Sequence, residues 1–260
     1  MAVLDAFMNG RRVGTFIRAK DGTHSYQYDE AWLAESGSRP ISLSMPLQRH
    51  PYCRGAEAYN FFDNLLPDSL TARRRIAARF HARTTLPFDL LSKVGSECVG
   101  AMQLLPEGTV PYAIHEIDCK ELSEQDVARI LTGYEDGAPL GMINGFDDFR
   151  ITLAGAQEKT ALLLHDGRWC LPRGSTPTTH ILKLPIGRIE SRSCSIDLSG
   201  SVENEFICML VAREFGLNVP DCLIVRPDGV KALAVERFDR RLSSDRSWIM
   251  RLPQEDFCQG

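Results

Sequence analysis

Two hairpins and one intervening helix are written into the stretch from Thr160 to Val235, and their order constrains the fold more than any bulk property of the chain. Thr160 to Leu164 and Trp169 to Leu171 are apolar runs closed by Asp166-Gly167, and Asp221 to Val225 and Val230 to Val235 are closed by Asp228-Gly229. Both dipeptides favour the positive φ of a tight hairpin turn. Between the hairpins lie a strand, His180 to Leu184, stopped by Pro185, and a helix, Glu203 to Phe215. The helix carries Phe206, Ile207, Leu210 and Val211 and ends at Gly216, a residue suited to a left-handed cap. Ahead of them, Phe149 to Leu153 reads as a short strand running into Ala154-Gly155-Ala156. This order predicts an α+β fold.

The N-terminal part reads as hairpins and helices. Val3 to Met8 is closed by Asn9-Gly10, and Arg12 to Ala19 is followed by Asp21-Gly22. The segment Asn60 to Arg83 predicts one helix, started by Pro67-Asp68-Ser69, with Leu70, Ile76, Ala77 and Phe80 on its apolar face. Arg73, Arg74, Arg75, Arg79 and Arg83 form the opposite face, read either as a solvated surface or as one that meets a phosphate backbone or an acidic partner. Ser123-Glu124-Gln125-Asp126 predicts a capping box opening a helix through about Tyr134, with Val127, Ile130 and Leu131 inward. Glycines and a proline then break the pattern, and a boundary is expected near Gly145 to Asp148.

Composition narrows the function classes. Thirty Lys and Arg against 34 Asp and Glu leave a formal charge of −4, which is no polybasic nucleic-acid binder. No apolar run approaches the roughly 18–20 residues of a transmembrane helix, and no signal segment is visible, so a cytoplasmic protein without membrane contact is expected. Eight cysteines are scattered with no C-x-x-C pair, so neither a metal nor a disulfide is expected to organise the fold. Cys170, Cys208 and Cys222 sit in apolar patterns as packed thiols.

Loop, two strands, a Lys-bearing strand, one helix, two strands and then a hinge-like segment is the order of a protein-kinase small lobe. Such a lobe covers nucleotide phosphates with a loop of small residues, neutralises them with one Lys, and holds that Lys with a helix carboxylate. The loop candidate is Ala154-Gly155-Ala156-Gln157-Glu158-Lys159-Thr160, whose small side chains let backbone amides approach an anion. It is neither a G-x-G-x-x-G nor a P-loop, and on pattern alone a plain tight turn is the better reading. Lys183 interrupts an apolar strand and shares a face with Ile181, so it needs a partner or a ligand. Its plain reading is a solvent-facing Lys on an edge strand; the surrounding order of elements tips the balance to function. Glu205 is the expected carboxylate, with Glu203 as fallback.

At this point the chain resembles the HipA family, the serine/threonine-kinase toxins of bacterial type II toxin–antitoxin modules. The resemblance rests on Phe61-Phe62-Asp63-Asn64-Leu65-Leu66-Pro67, Pro87-Phe88-Asp89-Leu90-Leu91, Val99-Gly100-Ala101, the segment Ala154 to Ala161, Pro177 to His180, Lys183-Leu184-Pro185, Val235 to Arg240 and Leu252 to Gln259. It implies that Ala154, Gly155, Ala156, Gln157, Glu158 and Lys159 bind the phosphates of ATP, that Lys183 contacts them, and that Glu236, Arg237 and Phe238 frame the adenine. The family's autophosphorylated serine falls on Thr152, a departure that keeps a hydroxyl. The resemblance further implies a helix-turn-helix, HipB-like antitoxin as partner, operator DNA reached through it, and glutamate–tRNA ligase as the substrate whose inactivation drives persistence.

The resemblance also implies an N-terminal α+β unit over 1–147, a kinase-like small lobe over 148–239, and the start of a helical lobe over 240–260. That helical lobe carries the family's catalytic Asp and its Mg²⁺ ligands. Arg240 to Gly260 contains no H-x-D-x-x-x-x-N-type segment. The expectation is therefore a truncated chain that holds ATP contacts but no catalytic residue and no metal ligands. Phosphoryl transfer depends on positioning and metal-borne charge stabilisation. A non-catalytic module that holds the antitoxin is the alternative. Loss of the helical lobe is expected to expose apolar surface around Phe238 and Phe257.

Overall fold

The computed structural model describes residues 1–53, 56–133, 159–190 and 195–255. Four strands make the first sheet: β1 (Ala2–Met8), β2 (Arg11–Arg18), β3 (His24–Tyr28) and, later in the chain, Met102–Pro106, in the order β3, β2, β1 and that last strand. Asn9 and Gly10 close the first hairpin with φ of 47° and 80°, as its turn dipeptide requires. Four helices follow β3: α1 (Glu30–Ala34), α2 (Glu57–Asp63), α3 (Leu70–Arg79) and α4 (Pro87–Val94), and they lead into β4 (Met102–Pro106). Phe16, Tyr26, Phe62, Leu66, Ile76, Leu90 and Leu91 fill the core between sheet and helices.

The helix expected within Asn60 to Arg83 from a start at Pro67-Asp68-Ser69 is α3, and its Ser69 cap hydroxyl accepts from Ala72 N–H at 3.3 Å; α2, which ends at Asp63, precedes it. Arg73 is drawn back to Asp63 at 2.5 Å and to the Pro67 carbonyl at 2.6 Å.

The second sheet is antiparallel and six-stranded. Its elements follow as β5 (Cys119–Glu121), α5 (Glu124–Thr132), β6 (Lys159–His165), β7 (Arg168–Pro172), β8 (His180–Lys183), a small hairpin of β9 (Gly187–Glu190) and β10 (Ser195–Leu198), α6 (Ser201–Glu214), β11 (Cys222–Val225) and β12 (Ala232–Glu236). The strand order is β11, β12, β8, β6, β7, β5. Val127, Ile130 and Leu131 of α5 pack with Leu162, Leu182, Ala232 and Ala234 into a second core. A last hairpin, β13 (Arg240–Leu242) and β14 (Ile249–Arg251), returns the chain to the first sheet, where Asn9 exchanges two hydrogen bonds of 2.9 Å with the Arg251 backbone.

Both hairpins and the helix between them stand where the sequence places them, within one to two residues, and the fold is α+β. The expected strand Phe149 to Leu153 and the end of the α5 pattern at Tyr134 lie outside the described residues.

Candidate functional site

Register places the chemistry on one face of the second sheet. Residues directly opposed in an antiparallel pair share a face. Lys183 is opposed to Lys159 on one side and Leu233 on the other, and Ile181 to Ala161 and Val235. His180, Leu182, Thr160, Leu162, Ala234 and Glu236 occupy the reverse face.

The Lys183 ammonium donates to Glu205 Oε1 at 2.5 Å, with about a quarter of the lysine and a third of the carboxylate side chain exposed. Glu205 reaches it from the second turn of α6, which lies against β11 and β12. Glu203, one turn edge away, is taken by Lys231 at 2.6 Å. Lys159 stands beside this pair without an ion pair of its own among the described residues. Burial, and then the neighbouring Lys183 charge, hold the Lys159 pKa below its ordinary value, against weaker pulls from Asp68 and Glu205. Among the described residues Glu205 pairs directly with Lys183, while Asp68 and Glu205 act on Lys159 without an ion pair. The two opposed ammonium groups make this face favour an anion.

The hinge segment follows β12. Glu236 is exposed and its N–H donates to the Asp221 carbonyl at 2.8 Å; the Arg237 N–H donates to the Thr179 carbonyl at 2.8 Å. Phe238 is 69% exposed. Arg237 differs from both neighbours, for its side chain is 1% exposed and turned into the protein. It forks onto Asp239 at 2.9 and 2.7 Å, and reaches Glu97 Oε1 at 3.1 Å, Thr178 Oγ1 at 2.9 Å and the Cys98 carbonyl at 3.1 Å. The resemblance set Arg237 against the adenine, but its guanidinium is committed to this cluster and only its backbone remains at the hinge.

Sequence reasoning missed the cluster around it. Arg240 joins Glu97 at 3.2 Å, Asp239 at 3.1 Å and the Gly100 carbonyl at 2.8 Å, and Arg251 pairs with the other oxygen of Glu97. Burial alone raises a carboxyl pKa, yet Arg251, Arg240 and Arg237 outweigh it and pull Glu97 down to about 2. Burial and the repulsion of Arg237 and Arg251 push Arg240 down to about 9, against Glu97 and Asp239. The signal available in the sequence was the run Arg237 to Arg240 with two cations flanking one Asp; its partner Glu97 is 140 residues away and carries no local mark.

On the reverse face, a cleft of about 490 Å³ opens between the β6–β7 turn and the β13–β14 hairpin, lined by Leu164, His165, His180, Glu236 and Ile249 among others. Burial lowers the His180 pKa, and Trp169 meets its ring edge-on at 5.4 Å. This cleft is separate from the Lys183 face. Thr152 and the loop Ala154, Gly155, Ala156, Gln157 and Glu158 lie outside the described residues, as does Phe257. Among the described residues, no group of three His, Cys, Asp or Glu side chains is arranged to hold a metal ion, and no helix is long and apolar enough to cross a membrane.

Comparison with known proteins covers both parts of the chain. The family model described as the HipA N-terminal domain matches residues 4–105, and that of the HipA-like C-terminal domain matches residues 151–260. A Sinorhizobium fredii protein named "Putative kinase Y4mE" is 36% identical over 262 residues, covering 99% of this chain and 59% of the relative. The Shewanella oneidensis protein named "Serine/threonine-protein kinase toxin HipA" is 27% identical over 244 residues, covering 92% of this chain and 50% of the relative. A solved Shewanella oneidensis complex of HipA, HipB and operator DNA superposes with a TM-score of 0.74 at 24% identity, covering 98% of this chain and 55% of that one. That likeness carries the fold. The chain spans between half and three fifths of the length of the curated relatives it matches.

Proposed function

Since the chain belongs to the HipA family, we propose that it binds ATP on the Lys183 face of its second sheet, as the nucleotide-holding part of a HipA-type kinase toxin. The observation that carries the reading is the arrangement of Lys183, Glu205 and Lys159. Glu205 fixes the Lys183 ammonium at 2.5 Å, and Lys159 adds a half-buried charge with no ion-pair partner of its own among the described residues. Such a face favours a polyphosphate over neutral ligands. On this reading Ala154 to Glu158 close over the phosphates, the hinge backbone at Glu236 and Phe238 meets the adenine, and Thr152 is the residue open to phosphorylation.

Within these 260 residues the reading assigns nucleotide binding, and it names no residue for the base or the Mg²⁺ ligands of phosphoryl transfer. Glutamate–tRNA ligase as substrate, a HipB-like antitoxin as partner and the cytoplasm as compartment belong to the same proposal. The test is a titration with a fluorescent ATP analogue. Wild-type protein is expected to bind, and Lys183→Ala to lose at least about tenfold in affinity, as removal of a charged phosphate contact does, with an unchanged circular-dichroism spectrum. Equal affinity in the two proteins refutes the proposal.

A second reading is favoured by the exposed apolar stripe of α6, where Ile207, Leu210, Val211 and Phe215 are between 42% and 82% exposed. On that reading the chain is a non-catalytic module that holds its antitoxin. Lys183→Ala separates the two, since it leaves partner binding intact.

A further inference from the structure

The cluster around Arg237 is buried throughout, and it joins parts of the chain that lie more than a hundred residues apart. Glu97 comes from the loop between α4 and β4, which belongs to the first sheet and its helices. Arg237 and Asp239 come from the hinge, and Thr178 from the approach to β8. One oxygen of Glu97 accepts from Thr178 N–H at 3.1 Å, Thr178 Oγ1 at 2.8 Å, Arg237 at 3.1 Å and Arg240 at 3.2 Å. Asp239, held by the Arg237 fork, accepts from Gly100 N–H at 2.7 Å.

We propose that Glu97 is a positioning residue for the hinge, so that the N-terminal part of the chain sets the geometry of the adenine-reading backbone. A hinge residue whose side chain faced the cleft would leave its backbone free to shift with the ligand. Here the middle residue of the three is pinned from behind by five hydrogen bonds, and only Glu236 and Phe238 stay exposed. Arg237 in turn is fixed by two carboxylates, of which Asp239 is local and Glu97 is not. A bidentate Arg–carboxylate fork sets orientation as well as distance. Glu97 supplies the second point needed to stop the guanidinium from turning about its fork. Its link to Thr178, whose neighbour Thr179 receives the Arg237 N–H, ties the hinge and the start of β8 to the same anchor.

This inference rests on the nucleotide reading above only for its effect on affinity; the anchoring of the hinge backbone stands apart from it. The experiment therefore has two arms on the double variant Glu97→Gln with Arg251→Met, which removes the carboxylate together with one of its buried cations, and Thr178→Val is the variant to use if the first fails to fold. In the first arm, ATP and inorganic tripolyphosphate are titrated separately. The expected result is a loss of about tenfold for ATP, the equivalent of one charged hydrogen bond, with tripolyphosphate affinity unchanged, because Lys183 and Lys159 lie outside the cluster. Equal loss for both ligands makes Glu97 a merely structural residue and overturns the proposal, as does no loss for either. In the second arm, amide hydrogen exchange is followed without ligand. Protection at Glu236 to Phe238 is expected to fall while Ala232 to Val235 in β12 stays protected. If wild-type protein binds neither ligand, the nucleotide reading fails and the exchange arm alone decides; unchanged exchange at the hinge overturns the anchor.

Discussion

Lys159 and Lys183 stand directly opposite each other across β6 and β8, and of the two only Lys183 has an ion pair among the described residues. A like charge and burial disfavour the charged form of an amine, and both act on Lys159. A bound polyphosphate reverses the balance, since its negative charge favours the protonated ammonium. Binding should then take up a proton wherever free Lys159 is partly deprotonated. Affinity for inorganic tripolyphosphate is expected to hold steady at neutral pH and to decline as the pH rises through the lowered Lys159 pKa. In Lys159→Met the decline through that lowered pKa is expected to disappear. Titrations between pH 7 and pH 10 give both curves, and superimposable pH profiles would remove Lys159 from the site. The Lys183–Glu205 juxtaposition was legible in the sequence because a lone cation in an apolar strand announces a buried charge, and the start of the following helix offers Glu205 and Glu203. The side-chain role of Arg237 was not legible. Nothing local to it shows that Glu97, beyond a whole helix and sheet, completes its surroundings.

At the scale of single elements, α5 shows local sequence and tertiary packing in agreement. Ser123 Oγ accepts from Asp126 N–H at 3.1 Å, and Asp126 Oδ2 accepts from Ser123 N–H at 3.2 Å, so the reciprocal capping box read from the sequence is formed. Ser123→Ala is expected to cost about 1 kcal/mol and to lower the midpoint of thermal unfolding by about 2–4 °C for a chain of this size; a melt unchanged within error would mean α5 is held by its core contacts alone. The hairpins were equally readable, because Asp166 and Gly167 (φ of 47° and 75°) adopt the backbone their residue types favour. The short helices α1, α2 and α4 were not. Each has five to eight residues, too few for an apolar period to stand out, and only burial of Trp32, Phe62 and Leu91 beneath the first sheet identifies them. Helix α6 carries an exposed stripe of Ile207, Leu210, Val211 and Phe215. With Phe238 also exposed, the chain is expected to self-associate as its concentration rises. Sedimentation velocity on wild type and on Val211→Ser/Phe215→Ser checks this; a monomer at every concentration in both counts against it.

For the whole molecule, the two cores are joined through ionic chemistry as much as through apolar contact. Among the described residues of this cluster three guanidiniums meet two carboxylates, and Glu97 touches all three cations. The consequence for stability follows from its pKa. Glu97 is held at about 2 in the folded chain against an ordinary value of 4.5. An acid whose folded pKa is depressed contributes stability that is fully present above its unfolded pKa and is lost as the pH falls through the folded one. The window here runs from about pH 4.5 down to about pH 2, and the linked stability is about 3 kcal/mol. Glu97→Gln alone leaves three buried cations facing Asp239 and is expected to be strongly destabilised at every pH, because an unpaired buried charge is costly. The informative variant is Glu97→Gln with Arg251→Met, which removes the carboxylate together with the guanidinium paired to its second oxygen. Urea midpoints measured from pH 7 to pH 2 should fall more steeply for wild type than for the double variant below about pH 4.5. Parallel acid limbs would show that Glu97 titrates normally, and that apolar contact rather than this cluster joins the hinge to the N-terminal part of the chain.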